Sequence, residues 1–154
     1  MTNNSVPGFR LIGLQLAHPT TNQNGQSAID CGHLWQKFET ENIAGRLPEK
    51  MGNEIYAVYF DYEGDHTQPF SYFIGCKVSA TTPVPTGLSS LQIAAGNYVK
   101  CHAQGQMPNC MTDAWTAIWN SGLKRAYTYD FESYGEQSKD WSNAQVEIFV
   151  AVKP

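Results

Sequence analysis

The amino-acid sequence predicts an α+β fold. Two β-α-β-β units join their strands into one curved antiparallel sheet with both helices on one face, which leaves the other face either solvated or a ligand cleft between the halves. Three observations lead there. The order of strand-like and helix-like segments recurs on either side of a Pro/Gly/Ser/Thr-rich stretch, so residues about 9–80 and 89–152 form a pseudo-repeat with 81–88 as linker. Each helical segment carries a single apolar stripe and so needs only one sheet face to bury it. The chain has 154 residues, 42% apolar and 16% charged, which suits one domain spanning 1–154 with a proper core.

The elements follow in order. Phe9–Ala17 is rich in branched apolar residues and reads as a strand, followed by a polar loop. A helix is expected over about Ser27–Glu41, with Ile29, Leu34, Trp35 and Phe38 on its buried stripe. Its last turn is acidic, an unfavourable charge placement that blurs its end. Strands Glu54–Tyr62 and Phe70–Ser79 complete the first half, joined by a turn over 63–69. In the second half a strand runs over about Leu91–Ala103, with Gly96-Asn97 as a bend or bulge signal. The helix over about Asn109–Asn120 places Met111, Ala114, Trp115 and Ile118 at i, i+3, i+4 and i+7, and Gly122 closes it. A hairpin of Ala126–Tyr134 and Gln145–Val152 ends the chain, with a polar turn over 135–143.

Composition excludes several function classes. A formal charge of −4, with Lys124-Arg125 as the one adjacent basic pair, does not make a nucleic-acid surface. No apolar run reaches the roughly 20 residues of a membrane span, and the start lacks a signal-peptide apolar region, so a cytoplasmic location is expected. Cys31, Cys76, Cys101 and Cys110, with four scattered histidines, lack zinc-site spacing and read as small hydrophobes. Neither a metal nor a cofactor is expected.

The second hairpin carries the unusual chemistry. Alternation places Tyr127, Tyr129 and Phe131 on one face of their strand, and Thr128, Asp130, Glu132 and Tyr134 on the other. In the partner strand Val146, Ile148 and Val150 form a plain core face for the helices, so Glu147 and Phe149 point to the open side of the sheet. Glu132 is expected to join them there, giving paired carboxylates beside aromatic rings; solvated strand carboxylates are the plainer alternative. Tyr59 is a further cleft candidate, although its strand is apolar on both alternations and its facing stays open.

The segments IYAVYFDYE, YFIGCKV, GLSSLQIAAGNYVKCHAQG, YDFESYGE and VEIFVAV, interleaved with two Trp-bearing helices, resemble the effector-binding domain of AraC-type regulators, also called the GyrI-like small-molecule-binding domain. The resemblance covers about Phe9 to Val152. It implies a cleft for small organic cations or amphipathic drugs, with an acidic residue among aromatic ones. Carried over, the D-F-E-x-Y glutamate is Glu132, the helix tryptophan is Trp115, and its first-half counterpart is Trp35. Core packing of both tryptophans is the alternative reading. Family regulators have a helix-turn-helix domain before this one; here the domain is expected to fill the chain and bind no DNA, similar to cationic-drug-binding proteins of mobile integron cassettes. Two other functions stay open: hydrolysis of small electrophilic compounds by Glu132 with Tyr134 or Tyr59, and a gyrase-inhibitor-like or accessory interaction with a separate regulator protein.

Overall fold

A computed structural model describes residues 1–154. It contains eight strands: β1 (Thr2–Val6), β2 (Phe9–Gln15), β3 (Ile55–Phe60), β4 (Ser71–Val78), β5 (Ser89–Ile93), β6 (Gly96–Gly105), β7 (Arg125–Tyr134) and β8 (Ala144–Val152). The helices are α1 (Gln26–Thr40), the short α2 (Ile43–Arg46) and α3 (Asn109–Trp119). All strands lie in one antiparallel sheet of order β1-β6-β8-β7-β3-β4-β2-β5. No helix is long and apolar enough to cross a membrane.

This order puts β7 beside β3 at the centre, where the two halves meet, and exchanges the outer strands. β1 pairs with β6 of the second half, and β5 with β2 of the first. The chain thus reads β-β-α-β-β twice, one strand more per half than the sequence suggests. β1 is a polar edge strand without apolar alternation, and the expected strand over 91–103 is two strands broken at Ala94-Ala95.

Both breaks bend the sheet. β1 and β2 lie six strand steps apart, as do β5 and β6, a distance of about 29 Å if the sheet were flat. Each pair is joined by two residues, which span roughly 11 Å at most. The sheet must therefore curl until its edges approach. Gly8, in the first link, lies against the second: a Cβ there would sit 3.1 Å from the Ile93 carbonyl oxygen. Leu11, Val58, Phe60, Phe73, Ile93, Tyr98, Phe131 and Ala151 fill the helix-free face and are buried without any helix to cover them. Between β2 and β4 the backbones approach so closely that a Cβ on Gly13 would lie 1.9 Å from the Ile74 carbonyl oxygen.

The helices pack on the other face. Leu34 and Phe38 of α1, with Ile43 and Leu47, bury against Ile12, Leu14, Ala57, Tyr72 and Ile74. Ile29 departs from the expected stripe and is 52% exposed, because a five-residue step from Leu34 turns it off the buried face. In α3, Met111 and Ile118 bury against Val99, Val146, Ile148 and Val150, with Ala114 and Trp115 half-buried alongside.

The register of β7 corrects the expected facing of Glu132. Glu132 stands opposite Ile148, and Asp130 opposite Val150, so both acids share the helix-covered face with the valines. Glu147 and Phe149 oppose Ser133 and Phe131 on the other face. Between Arg125 and Asp130 the pairing with β8 shifts, and Tyr127 takes a left-handed φ of +55°. Alternation fails across this bulge. Tyr127 packs on Tyr62 and Arg125, while Tyr129 stacks on Phe60.

Candidate ligand-binding cleft

The cleft lies between α1 and α3, over the central strands, and not on the open sheet face that the sequence suggested. It encloses about 360 Å³ and is lined by Cys31 of α1, Met111 and Trp115 of α3, and Tyr59, Tyr72, Glu132 and Tyr134 of the sheet. His66 and Trp119, stacked with centroids 4.8 Å apart, belong to the same lining and bridge the two halves.

Glu132 is the chemical centre. It is 2% exposed. Its Oε2 accepts from the Tyr59 hydroxyl at 2.9 Å and from Trp115 Nε1 at 2.7 Å, and its Oε1 accepts from the Tyr134 hydroxyl at 2.7 Å. All three donors are neutral. Burial pushes the Glu132 carboxyl above its ordinary value, and the three hydrogen bonds oppose this only in part. Burial, and then the adjacent Glu132 charge, push the Tyr59 and Tyr134 phenols well above their usual range, so both remain donors. The same two causes lift the Cys31 thiol to about 12, which keeps it protonated and poorly nucleophilic.

The structure brings Glu132, Trp115 and Tyr59 together as one hydrogen-bonded group. Trp35 stands behind it: its Nε1 donates to the Tyr72 hydroxyl at 2.8 Å, and its ring meets Tyr134 edge-on at 5.0 Å. Glu147 and Phe149 are separated from the group by the sheet. Glu147 is paired with Lys100 at the surface, and Phe149 stacks on Phe131 at 4.7 Å.

Sequence reasoning missed a second buried cluster beside the cleft. Asp130, fully buried, accepts from Arg125 Nη2 at 2.6 Å, the Tyr62 hydroxyl at 2.5 Å and the Ala151 amide at 2.9 Å. The Arg125 guanidinium lies over Tyr127 at 4.4 Å and over Trp115 at 5.8 Å, so the pair supports the ring that binds Glu132. Arg125 Nε and Nη1 have no hydrogen-bond partner. The available signal was an arginine at the start of β7 and an aspartate five residues on, with only tyrosines and small residues between them.

A cavity pre-formed between two halves of one curled sheet, with its polar groups turned inward, defines an effector-binding module for small molecules. The chain belongs to the family of integron-associated effector binding proteins, whose Cass2 model matches residues 4–152. It is similar in structure to an integron cassette protein from the mobile metagenome of Vibrio cholerae, with a TM-score of 0.74 and 29% identity, covering 99% of this chain and 95% of that one. The fold is shared with SAV2435, solved bound to tetraphenylphosphonium, at a TM-score of 0.79 and 18% identity, covering 99% and 93% of the two chains. The transcriptional regulator BrlR of Pseudomonas aeruginosa is 25% identical over 156 aligned positions, which take in 95% of this chain and 53% of BrlR; the chain thus spans about half of that regulator.

Proposed function

We propose that the protein binds lipophilic organic cations in the interhelical cleft, with Glu132 supplying the charge and Tyr59, Trp115 and Tyr134 the walls. One observation carries this reading: a fully buried carboxylate whose hydrogen-bond partners are all neutral. Arg125, the cation lining the same cleft, is committed to Asp130. Burying an ion costs several kcal/mol even after relaxation. A cation about 4 Å away returns roughly 4 kcal/mol at an effective dielectric of 20, and each ring face adds about 0.5–2 kcal/mol. A neutral ligand has no such Coulomb gain. Neither attraction demands a particular ligand outline, which favours flat or propeller-shaped aromatic cations as a class. The tetraphenylphosphonium held by a protein of the same fold supports this reading.

The test is a titration of tetraphenylphosphonium followed by tryptophan fluorescence. Glu132→Gln should weaken binding at least tenfold, which is about 1.4 kcal/mol, while the circular dichroism spectrum stays native. An unchanged dissociation constant, or equal affinity for neutral triphenylphosphine oxide, overturns the proposal.

A further inference from the structure

The space beneath α1 continues beyond Glu132. Ser27, Ala28 and Cys31 line the Glu132 cavity, and Gly32, Trp35, Gln36 and Glu39 line a second one of about 910 Å³. These seven positions form one continuous face of α1, so the two cavities are successive stretches of a single trench. From Ser27 to Glu39 the trench follows the helix for about 18 Å at 1.5 Å per residue.

Met107, Pro108 and Tyr134 line both cavities and form the partition between them. Tyr134 is held by its hydroxyl on Glu132 and by its ring contact with Trp35. Met107 is half-buried and its thioether accepts from the Cys110 thiol at 3.4 Å; of the three wall residues it alone has a long unbranched side chain, whose rotamers could open the wall.

We infer that the trench takes elongated amphiphilic cations, with the charged head on Glu132 and an apolar tail passing Met107 into the second cavity, against Trp35 and Ile55. This rests on the cation reading of the Glu132 site and adds a tail compartment to it. Full burial of a methylene strengthens binding about fourfold; because Gln36, Glu39, Asn53 and Glu54 share these walls with Trp35 and Ile55, about half of that free energy, roughly twofold per methylene, is expected here.

The test is a series of n-alkyltrimethylammonium ions, from butyl to dodecyl, titrated below their aggregation limits. In the native protein affinity should climb severalfold with each two carbons. Position 32 offers a way to block the second cavity alone: a Cβ there meets no atom within 4 Å, and Gly32 does not line the Glu132 cavity. Gly32→Phe should leave the butyl ion within twofold of the native protein and weaken the dodecyl ion at least tenfold. Gly32→Ala, too small to block, should keep the native slope. Gly135→Leu blocks from the opposite wall, where the nearest atom to an added Cβ is Glu54 Cγ at 3.8 Å, and serves if the first variant misfolds. A flat series in the native protein, or the same slope in both blocked variants, overturns the tail compartment. Butyl binding that still depends on Glu132 then leaves the cation site standing. Butyl binding indifferent to Glu132→Gln means that the cation site itself has failed.

Discussion

Replacing Asp130 by Asn should destabilise the protein by about 3–5 kcal/mol, the usual loss when one partner of a buried ion pair is removed. The magnitude follows from the surroundings. Arg125 is 6% exposed, two of its nitrogens already lack partners, and its remaining charged contact is the 2.6 Å bond to Asp130. An amide oxygen keeps the acceptor for the Ala151 amide, but an NH2 group replaces the oxygen that accepts from Tyr62 and Arg125, which leaves the guanidinium charge uncompensated in a dry site. In a domain of this size such a loss lowers the melting temperature by roughly 10–15 °C. Urea unfolding followed by far-ultraviolet circular dichroism measures it. The double variant Arg125→Leu/Asp130→Leu removes both charges and should recover most of the loss. If the single variant stays within about 1 kcal/mol of the native protein, or the double variant is no more stable than the single one, the pair is not an uncompensated-charge hazard and the reasoning is wrong.

Four further outcomes follow. Because burial raises the folded pKa of Glu132 above its ordinary 4.5, the folded state binds more protons than the unfolded one between those values; Glu132→Gln should therefore gain stability relative to the native protein as pH rises through that window. Tetraphenylphosphonium, a permanent cation, should bind more tightly across the same rise, and a flat profile in both measurements refutes the titration. Trp115→Phe, which loses a 2.7 Å bond to the carboxylate, should cost about 1.5–3 kcal/mol and weaken cation binding, whereas Trp35→Phe, which loses a neutral bond to Tyr72, should cost about 0.5–1.5 kcal/mol; equal effects in melts and titrations count against the assigned roles. Glu147→Gln should leave tetraphenylphosphonium affinity within twofold, since the sheet separates it from the cleft. Gly13→Ala should abolish the cooperative melt, because no adjustment short of parting β2 from β4 accommodates a Cβ 1.9 Å from a backbone oxygen.

Local pattern was enough to read most elements. The Met111, Ala114, Trp115, Ile118 stripe lies on the sheet as its spacing suggests, and the alternation Asp130, Glu132, Tyr134 holds within its own strand. What periodicity could not supply was the cross-strand register, because pairing Glu132 with Ile148 or with a neighbour of Ile148 decides which face it occupies. Tyr127 shows the same limit, since a bulge at a non-glycine residue leaves no turn signal in the sequence. β1 was invisible for another reason: Thr2–Val6 buries almost nothing, and its strand conformation comes from the β6 edge it completes. The cleft residues were partly legible because the D-F-E-x-Y segment ties them to a family. Tyr72 stands 37 residues from Trp35, whose indole it holds, so no local pattern links them; Arg125 and Asp130 are close in sequence but meet across the irregularity in β7, which alternation does not show.

The exchange of outer strands has a consequence for how the chain holds together. Neither half contains a finished sheet: the first lacks the strand that covers β2, and the second lacks the strand that covers β6. A cut in the linker 81–88 would leave two fragments, each with an exposed edge that only the other can cover. Such fragments are suited to reassemble as a complementing pair rather than to persist singly. The Glu132 group, built from β3 of one and β7 and α3 of the other, would be restored only on reassembly, so the proposed cation binding would report on the rejoined halves.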